Sequence, residues 1–190
     1  HRPGFVAPTL AARTFATADQ LTGGRIAVHI ITGGNDADQR REGDYLSKEE
    51  RYARTDEYLD VLRRVWTAEG PVSHEGTHYR FEDYHATVKP AQQPRIPLYF
   101  GGSSEAAYRV GGKHADVFAL WGEPLAETAE QIASVRAAAR AAGRTDSPRI
   151  SVSFRPILGP TEELAWERAH AILARIRAAD GGHGSFTGRR

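Results

Sequence analysis

Short apolar runs alternate with longer amphipathic segments along this chain. The apolar runs are bounded by polar or glycine-rich turns, and they predict strands over residues 26–31, 97–100, 116–121 and 150–158. Near-continuous runs of this kind are typical of strands that a parallel sheet buries on both faces. The longer segments predict helices over residues 10–21, 47–68, 104–114, 122–142 and 161–178. This alternation indicates an α/β fold with a parallel sheet, which is either a barrel or an open doubly wound sheet.

The segments between these elements carry signals of their own. We expect Thr9 to cap the first helix, and Ser47 with Glu50 fits the capping box that opens the second. The polar residues 36–47 are predicted to form a connecting loop. Residues 70–94 include several aromatic side chains and predict a hairpin or extended flap outside the main sheet.

Composition narrows the class of protein. The 190 residues are 40% hydrophobic and 26% charged, which is an ordinary globular profile with enough apolar residues for a core. We predict one domain over residues 1–179 and a Gly-rich, disordered tail over residues 180–190. The net charge of +1, with no basic run, favours neither nucleic acid nor a membrane surface as a partner. No apolar stretch reaches the roughly 20 residues that a membrane span needs.

Two residue types are missing from the sequence altogether. Cys is absent, which excludes disulfides and thiolate metal sites and leaves the cytoplasm as the default location. Met is absent too, and a natural reading frame begins with one, so we expect this sequence to be a piece of something longer. We expect no metal site, because no second His or carboxylate stands at ligand spacing from His29. The three histidines that are close in sequence belong to the predicted flap.

Residues 98–107 carry the signal for a bound anion. They predict a short buried strand, then two glycines, then two serines that open a helix. Gly101 and Gly102 let the backbone approach a bound group, while Ser103 and Ser104 can cap the helix and leave its first N–H groups facing an anion. Such a turn at the carboxyl end of a strand can cradle a phosphate, although the same residues also make an ordinary strand-to-helix turn.

Six short strings carry a resemblance to a known family. They are FVAPTLAAR (5–13), LTGGR (21–25), ITG (31–33), ERY (50–52), LYFGGSS (98–104) and WGEP (121–124). Each string is short, but their order and spacing over about residues 2–178 resemble the flavin-dependent alkanesulfonate monooxygenases of the bacterial luciferase-like family.

The resemblance implies a (β/α)8 TIM barrel of the luciferase-like type, of which this chain would supply an incomplete part, about strand 3 to helix 7. It implies noncovalent binding of reduced FMN (FMNH2), delivered by a separate NAD(P)H-dependent flavin reductase. Oxygen would add to the flavin, and the C4a-peroxyflavin would oxidise a small organosulfur substrate. By analogy with relatives we expect a homo-oligomer. We also expect this partial barrel to be poorly stable, oligomeric or inactive alone, because its sheet edges are open.

In a TIM barrel the carboxyl ends of the strands form the active-site face. The resemblance assigns cofactor binding to His29, Thr32, Tyr52, Gly102, Ser103 and Ser104. His29 stands where the family has an Asn beside the flavin, and Tyr52 matches a Tyr that reaches the phosphate together with the serines. Both have structural alternatives, since His29 could be a hydrogen-bonded barrel histidine and Tyr52 a core aromatic residue of its helix.

The resemblance assigns the catalytic roles to Trp121, Ser153 and Arg155. Trp121 matches a Trp of the active-site wall, with barrel packing as its alternative. Relatives that oxidise alkanesulfonates carry Arg-Leu-His on the last strand, where this chain has Ser153-Phe154-Arg155. Alternation along a strand puts Ser153 and Arg155 on one face. Arg155 stays protonated, so it would pair with an anion rather than act as a base, unless it forms a salt bridge at the barrel mouth.

The departure on the last strand widens the choice of substrate. The expected reaction converts an alkanesulfonate to an aldehyde and sulfite, or oxidises a sulfone. Two other functions stay open: an F420-dependent reductase or dehydrogenase of the same fold, and a truncated, non-catalytic subunit that stabilises a catalytic luciferase-like chain.

Overall fold

The computed structural model describes residues 1–179 of the 190-residue chain. The helices are α1 (Pro8–Leu21), α2 (Asp36–Arg41), α3 (Lys48–Thr67), α4 (Glu105–His114), α5 (Leu125–Ala141) and α6 (Glu162–Ala179). The strands are β1 (Val28–Ile30), β2 (Val72–Glu75), β3 (Arg80–Tyr84), β4 (Leu98–Gly101), β5 (Val117–Trp121) and β6 (Arg149–Ser153). The predicted disorder of the tail falls on residues 180–190, which lie outside the described residues.

Four of the strands form one parallel sheet in the order β1-β4-β5-β6. Strands β2 and β3 pair antiparallel as a separate hairpin, which confirms the flap that was predicted for residues 70–94. The parallel sheet, with helices between successive strands, confirms the α/β prediction. Because the strands are parallel, their carboxyl ends meet at one edge, and the loops that follow them share one side of the molecule.

The hydrophobic core lies between the helices and one face of the sheet. Register places Ile30, Phe100 and Phe118 side by side, and all three are buried at 1% exposure or less. The next position behaves differently, because Val28 and Ile30 are buried whereas His29 between them is exposed. The prediction of burial on both faces is therefore wrong for β1, and the sheet presents an open face on the side of His29.

Two helix starts differ from the sequence prediction. Helix α1 begins at Pro8, and its N-cap is Ala7 without a side-chain hydrogen bond, so the cap predicted at Thr9 is wrong. Proline suits the first turn of a helix, because its missing N–H has no partner there in any case. Residues 36–47 are not all loop, since they contain α2, whose first N–H groups are capped by Asn35. The capping box of Ser47 with Glu50 is confirmed.

Strand β6 is shorter than predicted. Its last pair with β5 joins Ser153 to Trp121, and the Gly122 N–H donates to the Ser153 carbonyl at 2.8 Å. The predicted strand to residue 158 is wrong because no neighbouring strand continues beyond this pair, and Pro156 has no N–H to donate. Arg155 therefore lies in the segment after the strand. Separately, no helix within residues 1–179 combines the length and apolar character that crossing a membrane requires.

Candidate active site

A cavity of about 360 Å³ opens at the carboxyl ends of the parallel strands. Eight of the nine residues assigned to the site from the sequence line it: His29, Thr32, Tyr52, Gly102, Ser103, Ser104, Trp121 and Ser153. They come from segments far apart in sequence, and the parallel sheet brings them to one place. Arg155, the ninth residue, does not line the cavity but contacts one of its walls.

One end of the cavity is formed where β4 passes into α4. The Ser104 side chain caps α4 by accepting a hydrogen bond from the Ala107 N–H at 3.2 Å, and its hydroxyl lies 3.4 Å from the Tyr52 hydroxyl. Ser103 lines the cavity but does not cap the helix. The α4 N-terminus, with its unpaired N–H groups and positive dipole end, gives this end of the cavity an affinity for anions.

Gly102 is required by the geometry of this turn. Its φ of +152° lies in a region that side chains rarely adopt, and a Cβ there would lie 2.6 Å from the Ala107 Cβ and 3.3 Å from the Tyr52 Oη. Ordinary contacts between carbon atoms are about 3.5–4.0 Å. Only glycine therefore allows the backbone to pass between α4 and Tyr52 into the cavity.

The wall from β1 contributes an imidazole and a hydroxyl. The His29 Nε2 would lie 3.2 Å from a Cβ at Gly101, so the ring sits directly over the β4 backbone. Although the residue as a whole is exposed, partial burial of the imidazole ring lowers the pKa of His29. The imidazole is therefore neutral at pH 7 and can both donate and accept a hydrogen bond. Thr32 is buried at 3% exposure and donates to the Thr55 hydroxyl at 3.4 Å.

The opposite wall comes from β5 and β6. Trp121 is 67% exposed and faces the cavity within the described part of the barrel. The Arg155 guanidinium carbon lies 5.6 Å from the centre of the Trp121 ring, within the range of a cation–π contact. Arg155 was expected on β6 beside Ser153. It reaches the site instead from beyond the strand, through the indole.

Sequence reasoning missed Lys48, which also lines the cavity. Lys48 is the first residue of α3 and lies four residues before Tyr52, so the two side chains share one face of the helix. The four-residue spacing from Tyr52 is the sequence signal that could have identified Lys48 as a site residue. Among residues 1–179, no group of three or more His, Asp or Glu side chains is arranged to hold a metal ion.

The model of the luciferase-like monooxygenase family matches residues 1–187. The chain belongs to the luciferase-like monooxygenase family. Its fold is accordingly the TIM-barrel type of that family, and the described residues form only part of the barrel. The family match thus confirms the fold class predicted from the sequence, including its incompleteness.

Several solved structures resemble the chain over most of its length. A riboflavin lyase, in a complex described as containing modified FMN and riboflavin, is 27% identical with a TM-score of 0.77 over 88% of this chain and 42% of its own. The EDTA monooxygenase of Chelativorans sp. BNC1 is 25% identical with a TM-score of 0.77 over 94% of this chain and 45% of its own. An F420-dependent secondary alcohol dehydrogenase is 24% identical, with a TM-score of 0.67 over 76% of this chain and 44% of its own. At this identity the likeness shows a common fold alone. The chain therefore spans less than half the length of each of these structures.

Proposed function

We propose that this chain is part of a monooxygenase that uses reduced FMN and O2 to oxidise a small organosulfur substrate. The observation that carries the proposal is the single cavity that joins the Ser103–Ser104 turn to Trp121 and Ser153 at the strand ends. A flavin needs an anchor for its phosphate and an apolar wall for its ring system, and this cavity offers both kinds of surface.

The lining of the cavity supports FMN as the ligand. At the phosphate end, Gly102 leaves no side chain between the backbone and the ligand, and the hydroxyls of Tyr52 and Ser104 lie side by side. No carboxylate is among the described lining residues, so nothing there repels a phosphate. His29 would face the flavin ring or the ribityl chain.

When bound, reduced FMN supplies the electrons that activate O2, and the protein supplies orientation and charge. One end of the cavity would hold the cofactor and the other end would hold the substrate. The turn around Ser103 would fix the cofactor, and Trp121 would form the wall against which the substrate rests. Arg155, held over the indole, would attract an anionic substrate group, because its guanidinium stays charged and offers a bidentate donor pair. Ser153 would add a hydroxyl to the same wall.

An organosulfonate fits this arrangement because it combines a small anionic head with an apolar chain. A sulfone is the second substrate of this class, with two acceptor oxygens and no charge. We expect an NAD(P)H-dependent flavin reductase as partner, a cytoplasmic location where NAD(P)H is regenerated, and assembly into homo-oligomers.

A substrate panel tests the proposal. The full-length protein that contains this chain is supplied with FMN, NAD(P)H and a flavin reductase, and sulfite and aldehyde release is scored against C1 to C10 alkanesulfonates and sulfones. Release that requires all three additions supports the proposal. Tight FMN binding with no product from any organosulfur compound would contradict the substrate class while leaving the cofactor in place.

An F420-dependent reductase or dehydrogenase is the second candidate, because an F420-dependent dehydrogenase shares the fold. Its deazaflavin would use the same cavity. Titration of the protein with F420 and with FMN separates the two functions, and tighter binding of F420 would make the F420-dependent function the first candidate. A non-catalytic subunit is a third possibility, which copurification with an active second barrel chain would support.

A further inference from the structure

The cavity has one Lys side chain, and no other Lys or Arg, among its described lining residues. This is Lys48, and no Asp, Glu or Arg lines the same space within residues 1–179. A recess whose only fixed charge is positive attracts anions. The charge inventory therefore points to an anionic group beside Lys48.

The two basic residues that come next after Lys48 on α3 are already paired. Arg51 binds Asp36 at 2.6 Å, and Arg54 binds Asp44. Their charges are thus balanced within the fold. Arg51, and to a smaller extent Lys48, lower the pKa of Asp36, but Asp36 is bound by Arg51. Lys48 itself makes no ion pair with any residue of the described chain, 1–179, so its ammonium can contact a ligand.

The other two lysines give the same contrast. Lys113 binds Asp56 at 2.8 Å, and Lys89 donates to the carbonyls of Val65 and Ala68 at 2.7 Å each. Both ammonium groups therefore stabilise the fold. Lys48 differs from them in lining a cavity and in having no such partner among the described residues.

The position of Lys48 selects one end of the cavity. Its side chain lies one turn before Tyr52 on the same face of α3, and the Tyr52 hydroxyl lies beside Ser104 at 3.4 Å. Arg155 lies at the β6 edge of the sheet, over Trp121. Lys48 is thus on the side of the α4 N-terminus, and Arg155 is on the side proposed for the substrate.

We propose that Lys48 is a specificity-determining residue that pairs with the flavin phosphate and makes the protein select FMN over unphosphorylated riboflavin. This inference rests on the proposed function, because it takes a flavin as the ligand. To the proposed function it adds one residue, Lys48, and one property, a preference for FMN over riboflavin. The Lys48 ammonium interacts with the phosphate alone, so removing it weakens the binding of FMN and leaves the contacts to the riboflavin ring intact.

The test uses the full-length protein that contains this chain and measures dissociation constants of FMN and riboflavin for the wild type, Lys48→Ala, Lys48→Arg and the matched control Lys113→Ala. Hydrogen bonds to a charged group contribute enough that Lys48→Ala should weaken FMN about tenfold and riboflavin less than about twofold. Lys48→Arg should keep most of the preference for FMN. The control should leave the FMN-to-riboflavin ratio unchanged, although it removes a charge. Inorganic phosphate should compete with FMN in the wild type and lose most of this effect in Lys48→Ala.

Each other outcome overturns the inference in a distinct way. An unchanged FMN-to-riboflavin ratio in Lys48→Ala, or an equal loss for both ligands, would mean that Lys48 does not contact the phosphate. A second titration adds octanesulfonate to the FMN-saturated protein, and a loss confined to octanesulfonate would assign Lys48 to the substrate anion instead. Wild-type protein that binds neither flavin would refute the proposed function together with this inference.

Discussion

The substitution Gly102→Ala is expected to destabilise the protein and to close the phosphate end of the cavity. The added Cβ would lie 2.6 Å from the Ala107 Cβ, so either α4 or the turn must move. Inserting a carbon into packed surroundings costs about 1–3 kcal/mol. Holding a non-glycine residue at a φ of +152° adds strain of about 1–3 kcal/mol. We therefore expect unfolding free energy to fall by about 2–6 kcal/mol, a large part of the roughly 5–15 kcal/mol that stabilises a typical domain.

Urea unfolding followed by circular dichroism measures this loss, and Gly34→Ala is the matched control. Gly34 also lines the cavity, but a Cβ there meets no atom within 4 Å. The control should stay within about 0.5 kcal/mol of the wild type, as surface substitutions do. FMN binding at low temperature, where both variants are folded, should be weakened by Gly102→Ala more than by Gly34→Ala. Equal urea midpoints for the two variants would refute the claim that the turn has no room for a side chain.

Three further predictions concern other parts of the molecule. Burial lowers the pKa of His114 below 6.5, so the folded state binds fewer protons than the unfolded state and stability is lost as pH falls below about 6.5. His114→Gln should flatten that part of a plot of urea midpoint against pH, and an unchanged slope would exclude His114 as its source. In the full-length protein, Arg155→Ala should lower turnover at least about tenfold while FMN affinity changes less than about twofold, since the lost charge-assisted contact belongs to the substrate; unchanged turnover would remove Arg155 from the site. Glu57 accepts hydrogen bonds from the His78 and Tyr79 N–H groups at 2.9 Å each, so Glu57→Gln should speed proteolytic cleavage within the β2–β3 hairpin, and equal cleavage rates would contradict this anchoring role.

The order of elements could be predicted from the sequence because their signals are local. The capping box at Ser47 and the apolar face of α3 are readable from neighbouring residues, and both occur as predicted. The glycine–serine turn after β4 could be placed because strand, turn and helix are adjacent in the chain. Helix α2 escaped prediction because six mostly polar residues show no apolar stripe.

The features that depend on distant partners could not be predicted. The length of β6 depends on where β5 stops, and so the strand ends at Ser153 although the sequence continues apolar. The position of Arg155 over Trp121 follows from that early end. Lys48 was missed because its distinction is the absence of an ion pair within residues 1–179, and the pairing of the neighbouring arginines appears only in three dimensions.

The contacts between α3 and α4 have a consequence for how the site responds to a ligand. Glu49 binds Arg109 at 2.7 Å and Asp56 binds His114 at 2.7 Å, with the Tyr52–Ser104 contact between them. On α3 these contacts recur about once per helical turn, and they join α3 to α4 and to the residue that caps it. We expect α3 and α4 to move together as one rigid body when a ligand enters. Any tightening around the ligand must then come from the far rim, where residues 154–161 follow β6 and are exposed to solvent.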